Sequence, residues 1–555
     1  MDQGSTGPGA TAPRGRSVRG IAPLVCATLC AALLAACFGP AGYVASADEE
    51  VGGILGERFD EVLGSREATV RHPDPLPPEP EDSVQDVLAQ VDDGVEGSGE
   101  LIQLDLEGAL AQAVTGGREF INQQELVYLQ ALGLTLTRYS FGPILDTTVS
   151  LLWSDTEKTA SSTTLSSSFG ISEILPTGGT LDFSLFASGM NTGGSPAPGV
   201  SDPLYSSDAR LTFSQPLLRG AGYEVSHESL TQAERDLIYA VRDFELFRED
   251  FAIGIARDFF DLVSQKQRLV NIEQNYRDAL FDKNKADALR QVDRNQDEDV
   301  FRARRQLVNA ESDLLQARTN YKVSVDSFKI RIGLPADARV EILVEEPPFQ
   351  PVRLDADSAV DVALHNRLDV TTDADGLDDA RRGLRIARDG LRTDLDLVLG
   401  IGGSGAGGSG VGSASPDTLD STASLVLSLP VDRKSERNAY RSAMISLDRA
   451  MRDHDLLLDN VERDVRDQLR VLRTAEQDIE LQRQQIEQDQ RAVAISEIRV
   501  EAGEADNREL IDARQSLVDA QNRLIDLKAG HFIARLRLLR NLGILFIDED
   551  GMWHE

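Results

Sequence analysis

Short segments in which apolar and polar residues alternate occupy two parts of the chain, at about residues 143–216 and 394–430. In the clearest run one set of alternate positions is mainly apolar and the other is polar: Leu145, Thr147, Val149, Leu151 and Trp153 alternate with Asp146, Thr148, Ser150 and Ser154. Alternating residues of a β-strand lie on opposite faces, so each segment is predicted to be a strand with one apolar face. Such segments are typical of transmembrane barrels, although a soluble sheet with one buried face has the same pattern. The six segments lie around residues 145–153, 165–171, 181–185, 211–214, 395–401 and 423–429.

Long helices are predicted after each group of strands. Residues 217–334 contain no proline, and neither does the chain from Val431 onward. Both regions carry apolar residues three and four positions apart, as in the series from Phe244 to Leu262. This spacing is typical of long amphipathic helices with a coiled-coil seam. We therefore expect a mainly α fold with a β-barrel portion, in which long helices cover about 222–333 and 432–543.

The two groups of elements belong to an internal duplication. Leu104-Asp105 recurs as Leu354-Asp355, and Gly333 recurs as Gly543. Matches that keep their order along the chain indicate a repeated unit of long α-helical coiled-coil hairpins and strands. The chain is accordingly divided into a signal peptide at 1–36, an acidic linker with several prolines at 37–100, a first repeat at 101–345, a second repeat at 346–546 and a C-terminal tail at 547–555.

The N-terminus predicts export from the cytoplasm. Three arginines precede an uncharged run at 21–36, and this order is typical of a secretory signal peptide. The end of the run, Leu34-Ala35-Ala36-Cys37, resembles the lipobox of bacterial lipoproteins. Lipidation of Cys37 is favoured because this residue directly follows the apolar run. Cleavage after Ala47, which ends an Ala-x-Ala pattern, is the alternative.

Composition and charge exclude several classes of protein. The 555 residues include 57 Lys and Arg against 92 Asp and Glu, giving a formal net charge of −35, so no nucleic-acid partner is expected. All three cysteines lie at or before Cys37, which excludes a disulfide scaffold and a cysteine-ligated metal in the exported chain. The six histidines lack a metal-binding spacing, and no nucleophile is paired with a base. We predict no enzyme activity, no cofactor and no metal site.

The duplicated helix–strand–strand–helix plan resembles the TolC-like outer membrane efflux protein family, and Cys37 resembles the lipidation site of its lipoprotein members. The resemblance covers roughly residues 101–546, and its motifs are individually loose but specific as a set. The motifs are Asn366-Arg367-Leu368-Asp369-Val370, Ser214-Gln215-Pro216-Leu217, Glu501-Ala502-Gly503 followed by Glu509-Leu510-Ile511-Asp512-Ala513, and Leu542-Gly543.

The resemblance implies a homotrimer, a trimeric α/β barrel tunnel. Its transmembrane β-strands pool into one outer membrane barrel, which continues into a periplasmic α-helical tunnel. In the family this tunnel docks onto a periplasmic adaptor, also called a membrane fusion protein, and onto an inner-membrane transporter. The expected partners are therefore further copies of the chain, these two proteins and outer membrane lipid. The expected location is the bacterial outer membrane, with an extension into the periplasm.

Two departures from the family pattern affect these expectations. The usual protomer supplies four strands, whereas six are predicted here, and the first repeat has additional residues that fit one extra hairpin with a turn near 175–180. The extra hairpin either widens the pore or lies outside the barrel. The first helix-hairpin tip also has Asp293-Arg294-Asn295 where the second has Ala502-Gly503-Glu504. Adaptor contact is therefore expected more at the tip with Gly503.

Both predicted tips are acidic, and we assign to them the candidate aperture or adaptor-contact residues. In a trimer each inward-facing carboxylate becomes a ring that favours cations. The alternative is an ordinary solvated helix end, where acidic residues favourably start the return helix. The candidates are Asp293, Asp297 and Asp299 at the first tip and Gly503, Glu504 and Asp506 at the second.

Together these observations predict the outer membrane channel component of a tripartite efflux or type I secretion system, which conducts passively. The alternative from a different class is a lipid-anchored periplasmic coiled-coil structural protein without a pore. Conductance across a lipid bilayer distinguishes the two.

Overall fold

The computed structural model describes residues 40–63, 101–156, 159–192, 204–291, 297–344, 347–407, 418–502, 507–548 and 550–554. The predicted signal peptide and Cys37 lie outside these ranges. The helices are α1 Pro40–Leu63, α2 Leu106–Gly116, α3 Arg118–Phe141, α4 Tyr223–Ser226, α5 Glu228–Gln291, α6 Asp297–Arg331, α7 Ala356–Asn366, α8 Leu368–Asp389, α9 Lys434–Glu501 and α10 Asn507–Asn541. The strands are β1 Ile102–Leu104, β2 Ile144–Thr156, β3 Thr159–Ile174, β4 Thr180–Thr192, β5 Leu204–Pro216, β6 Val340–Ile342, β7 Asp394–Gly407, β8 Thr418–Ser428, β9 Phe546–Ile547 and β10 Trp553–His554.

The fold is mainly helical with a sheet portion, as predicted. Its two longest helices, α5 and α9, have 64 and 68 residues. Within the described ranges, no helix combines the length and the hydropathy that a membrane-crossing helix needs.

Residue contacts divide the chain into two units. Of the described residues, the first unit contains those within Leu132–Arg235 and Asp379–Leu447 together with residues 40–51, and it holds a six-stranded sheet. The second unit contains Gly52–Ala131, Asp236–Asp378 and Asp448–Glu555. It holds the greater part of the four long helices α5, α6, α9 and α10.

The sheet of the first unit has the strand order β2-β3-β4-β5-β7-β8, and every neighbouring pair is antiparallel. All six alternating segments of the sequence therefore belong to one sheet. The two repeats meet where β5 pairs with β7, with Tyr205 opposite Gly407 and Pro216 opposite Asp396. The first repeat supplies four strands, and its additional hairpin lies inside the sheet rather than beside it.

Helices join the sheet at one end, where hydrogen bonds connect strand ends and turns. Asp389, the last residue of α8, accepts a bond of 2.7 Å from the backbone N–H of Gly220, just after β5. The backbone N–H of Gly222 donates to the carbonyl oxygen of Thr177, in the turn between β3 and β4, at 2.9 Å. The β3–β4 turn is thus fixed to the same end of the sheet as the helix connections.

Apolar side chains of α7, α8, α9 and α10 form one core of the second unit. The stripe that the spacing predicted along α9 is buried there, including Val461, Val465 and Leu472. A second group is aromatic, with the ring of Phe120 centred 5.7 Å from that of Phe244 and 5.4 Å from that of Phe251. The helices of this unit are therefore held by amphipathic faces, as their periodicity predicts.

Equivalent residues of the two repeats have equivalent roles in this second unit. The side chain of Asp105 accepts a hydrogen bond of 2.8 Å from the N–H of Gly108 at the start of α2. Asp355 accepts one of 3.1 Å from the N–H of Ser358 at the start of α7. Each aspartate caps a helix by satisfying one of its unpaired backbone donors.

The first part of the predicted linker 37–100 is a packed helix, which corrects the interpretation of that segment. Helix α1 covers Pro40–Leu63, and Ile54, Leu55 and Phe59 are buried. The ring of Phe59 packs edge-on against Phe244 with centroids 6.4 Å apart. The error arose because the prolines cluster between residues 73 and 80, beyond the helix, and gave the whole segment a linker-like composition. Residues 64–100 lie outside the described ranges.

Candidate functional site

The six-stranded sheet has one predominantly apolar face, which crosses every strand. Paired residues of neighbouring strands lie on the same face. One row of pairs joins Leu145, Ile171, Phe183, Leu211 and Ile401. Leu145 and Ile401 expose 60% and 58% of their areas. A contiguous band of exposed and half-buried apolar side chains of this kind marks a surface that contacts lipid or another apolar partner.

The opposite face of the sheet is mainly polar, with a few apolar positions such as Leu152 and Phe186, and most of its charged residues are acidic. Hydroxyl groups pair across strands, with 2.7 Å between the side-chain oxygens of Ser150 and Ser166 and 2.6 Å between those of Ser188 and Ser206. If this face borders a water-filled lumen, its carboxylates favour cations close to the sheet. The charged residues of this face in the described strands are Asp146, Asp182, Asp208, Arg210, Asp394, Asp396 and Asp420.

The structure describes two of the six predicted tip residues. Asp297 is the first residue of α6 and forms an ion pair with Arg290 near the end of α5. Asp299 lies in the first turn of the same helix. Both positions suit a carboxylate because the N-terminus of a helix carries partial positive charge. The remaining four tip residues, Asp293, Gly503, Glu504 and Asp506, lie outside the described residues.

A matching ion pair holds each helix hairpin just behind its tip. In the first repeat Arg304 of α6 pairs with Asp287 of α5 at 3.0 Å. In the second, Arg514 of α10 pairs with Glu497 of α9, also at 3.0 Å. Hydrogen bonds from Lys283 and Arg304 hold the pKa of Asp287 below its usual value, so this carboxylate stays charged. The acidic tips therefore contain paired charges as well as exposed ones.

The Asn366–Asp369 motif forms the turn between α7 and α8. Arg367 is buried, with 7% of its area exposed. Its guanidinium group donates hydrogen bonds to both carboxylate oxygens of Asp369, at 2.9 and 2.6 Å. Burial alone raises the pKa of Asp369, but the hydrogen bonds and charge of Arg367 outweigh it and hold that pKa below its usual value. The turn is therefore fixed by a two-point, charged hydrogen bond.

A buried carboxyl lies beside this turn. Glu249 of α5 has 5% of its area exposed, and its Oε2 atom has no hydrogen-bond partner. Burial, and then the nearby charge of Glu245, raise the pKa of Glu249 from 4.5 to about 8. Glu249 lines a cavity of about 470 Å³ together with Arg367 and Arg540. At neutral pH its carboxyl group is mostly protonated and uncharged.

Sequence analysis did not identify Glu249, because its burial depends on parts of the chain that are distant in sequence. The available signal was a pair of glutamates, Glu245 and Glu249, inside the apolar series between Phe244 and Phe251. Glutamates are almost never fully buried, so a pair of them inside an apolar series is unusual. Within the described ranges, no group of three or more His, Cys, Asp or Glu side chains could hold a metal ion.

Comparison with known proteins relates this architecture to outer membrane channels. Residues 359–544 match the family model for Outer membrane efflux protein. The fold is similar to that of the outer-membrane channel OprN, with 14% identity, a TM-score of 0.58, and coverage of 79% of this chain and 89% of that chain. It is similar to VceC from Vibrio cholerae, with 14% identity, a TM-score of 0.59, and coverage of 79% and 96%.

A third similar structure is the CmeC outer membrane channel of Campylobacter jejuni, with 14% identity, a TM-score of 0.59, and coverage of 79% and 85%. The search of curated proteins gives no match. The family match and the similar folds confirm the resemblance to outer membrane efflux proteins that the sequence motifs indicated.

Proposed function

We propose that this protein is the outer membrane channel of a tripartite efflux or type I secretion system. It acts as a passive homotrimeric conduit from the periplasm to the exterior. Passive conduction means that the energy for transport comes from an inner-membrane transporter, which a periplasmic adaptor connects to the channel. The chain itself supplies a wall and an aperture and catalyses no reaction.

The observation that carries this proposal is the two-faced sheet. Its apolar face suits contact with lipid, and its polar face suits contact with water, as the wall of a membrane pore requires. In lipid, every backbone polar group must find a partner, which a sheet achieves only by closing on itself. The family match over residues 359–544 supports the same function.

The helices are proposed to extend the conduit into the periplasm. Hairpins α5–α6 and α9–α10 end near residues 291–297 and 501–507, and we propose these ends as the aperture and the adaptor contact. Their repeated ion pairs keep the two helices of each hairpin together near the tip. Lipidation of Cys37 is proposed as a second attachment to outer membrane lipid.

Labelling of introduced cysteines in cells tests the location and orientation. Ser409 follows β7 and precedes β8 in the sequence, and Ser516 occupies an exposed position of α10; each is changed to cysteine. A bulky, membrane-impermeant maleimide is expected to label Ser409→Cys in intact cells. It should label Ser516→Cys only after the outer membrane is permeabilised, and the unmodified chain serves as the background control.

Failure of Ser409→Cys to react in intact cells, with normal labelling after permeabilisation, would contradict a membrane-spanning sheet. That result is expected instead for a periplasmic coiled-coil protein without a pore. Labelling of both variants in intact cells would contradict the proposed orientation.

A further inference from the structure

We infer that the additional β3–β4 hairpin is part of the pore wall, and that β8 of one copy pairs with β2 of the next. Three copies then form a closed wall of eighteen strands rather than twelve. This inference rests on the proposed function for the number of copies. The strands themselves supply the order, the direction and the faces of the wall.

The hairpin is fully integrated into the sheet. Strand β3 pairs with β2 from Ile144 opposite Ser172 as far as Thr156 opposite Thr159, with one irregularity near the end. Strand β4 pairs with β5 from Thr180 opposite Ser214 to Met190 opposite Leu204. A hairpin that projected away from the wall would leave β2 and β5 as neighbours, whereas here two full-length strands separate them.

The hairpin also continues both faces of the sheet. Phe169 and Leu185 are paired and lie on the apolar face, between Thr147 of β2 and Ala209 of β5. On the polar face, Ser166 and Ser188 each form a hydroxyl pair with the neighbouring strand. Since a shift of one residue would exchange the two faces, their continuity fixes the hairpin in the wall.

The two outer strands of the sheet define where a second copy pairs. Within the described residues, β2 pairs only with β3 and β8 pairs only with β7, so each has one edge without a neighbour. The sheet has six strands in strict antiparallel order, and β8 consequently runs opposite to β2. Identical copies can therefore join β8 to β2 and keep a uniformly antiparallel wall, as closed membrane barrels do.

A second copy of the chain is the partner of these edges, because its apolar and polar faces continue those of the first copy. An arriving β2 brings Leu145, Val149 and Leu151, and the receiving β8 brings Leu425 and Leu427, all exposed in one chain. These are odd-numbered positions on the apolar face of the sheet, so joining the edges extends the apolar band across the seam. Another partner would have to reproduce this alternation on both sides.

Strand number sets the width of the pore. With strands about 4.8 Å apart and tilted by about 40°, a wall of 18 strands has a backbone diameter of about 36 Å, against about 24 Å for 12 strands. The hairpin thus widens the outer part of the conduit by about half, and it suits solutes bulkier than a twelve-stranded wall admits.

Electron cryo-microscopy of the full-length protein in lipid nanodiscs tests the inference directly. The unmodified chain is expected to show a closed wall of eighteen strands with β3 and β4 in it. The matched variant lacks residues 159–192. This deletion keeps the alternating strand direction, because β2 then leads through residues 193–203 into β5, and the variant is expected to show twelve strands and a narrower wall.

A disulfide experiment gives a second measure that does not need the deletion variant to fold. Cysteines are placed in β2 at Thr148 or Ser150 and in β8 at Thr422 or Ser424, all on the polar face. Oxidation is expected to join separate chains in at least one combination. The control pair Ser150→Cys with Ser166→Cys lies within one chain, where the native hydroxyls are 2.7 Å apart, and should form an intramolecular bond.

The outcomes separate this inference from the proposed function. A closed wall of twelve strands in the unmodified chain, with the hairpin outside it, overturns the inference and leaves the channel intact. The same holds if the control pair oxidises while no β2–β8 combination links chains of a protein that forms pores. Particles without any closed wall overturn both.

Discussion

Two glycines show how single residues fix the repeated units. Gly333 and Gly543 follow α6 and α10 and have φ values of 83° and 67°, a conformation that favours glycine. A Cβ atom on Gly333 would lie 1.9 Å from the carbonyl oxygen of Gly116, and one on Gly543 would lie 2.7 Å from the carbonyl carbon of Asn366. In each repeat, therefore, the end of a long helix packs directly on the backbone of a short one.

The substitution Gly333→Ala is expected to destabilise the protein by roughly 3 kcal/mol, because it combines an unfavourable backbone conformation with an overlap that side-chain movement cannot relieve. Thermal unfolding of the purified protein in detergent measures the change. Gly530→Ala is the matched control. It lies inside α10 with no atom within 4 Å of the added methyl group, and alanine there should be neutral or slightly stabilising.

Glu249 predicts a specific pH dependence of stability. Its pKa is about 8 in the folded chain and 4.5 as a model value, so the folded state holds this proton more tightly. The corresponding stabilisation is fully present below pH 4.5 and is lost as the pH rises through about 8. In Glu249→Gln the free energy of unfolding should depend less on pH, by on the order of 4 kcal/mol between pH 5 and 8.

Unfolding of both proteins across this pH range measures the difference. The control is Glu487→Gln, which removes an exposed carboxylate paired with Arg491 one helical turn away. This control should leave the slope of stability against pH unchanged. An identical slope for Glu249→Gln and the unmodified protein would mean that the carboxyl group is already charged at neutral pH.

At the scale of elements, the tips of the helix hairpins and the face of the sheet differ in their expected effect on ions. Neutralising both tips with Asp297→Asn and Asp506→Asn should reduce the preference for cations, because carboxylate rings act strongly at a constriction. Part of the charge of Asp297 is already balanced by Arg290, so both tips have to be changed together. Reversal potentials in a salt gradient across a planar bilayer measure the preference.

Asp208→Asn, on the polar face of the sheet, is the control for this experiment. In a wall with a backbone diameter of about 36 Å, ions near the axis lie about 18 Å from the wall, beyond the screening length of about 8 Å at 0.15 M salt, so this change should have a smaller effect than the tip variant. Ion selectivity that is unchanged by the double tip variant would reject the acidic ring. The tip carboxylates would then act as ordinary helix-end residues.

The elements differ in how far their sequence predicts them. Strands β2, β7 and β8 and the long helices follow from periodicity alone, since one face of each is predominantly apolar. The position of the extra hairpin did not follow, because alternation fixes which way a strand faces but not which strands become neighbours. Helix α1 was missed because the prolines after it dominated the composition of the segment. The burial of Glu249 arises from packing between distant residues, which a local pattern does not record.

At the scale of the whole molecule, each of the two repeats contains one part that forms strands and another that forms long helices. One part of the repeat supplies strands with an apolar and a polar face, and the other supplies paired helices with acidic, ion-paired tips. The first repeat contributes four strands to the six-stranded sheet and the second contributes two, so the proposed wall is wider than one with two strands from each repeat. The overall formal charge of −35 suits a conduit for cationic or neutral solutes more than one for polyanions.

Single-channel recording of the purified full-length protein in a planar lipid bilayer tests the central claim, that copies of this chain enclose a passive pore. We predict discrete conductance steps of uniform size with a preference for cations, which appear without any energy source. The same preparation after heat denaturation should show none. A correctly folded oligomer that inserts into the bilayer and gives no conductance steps would contradict the account, and would favour a lipid-anchored structural protein instead.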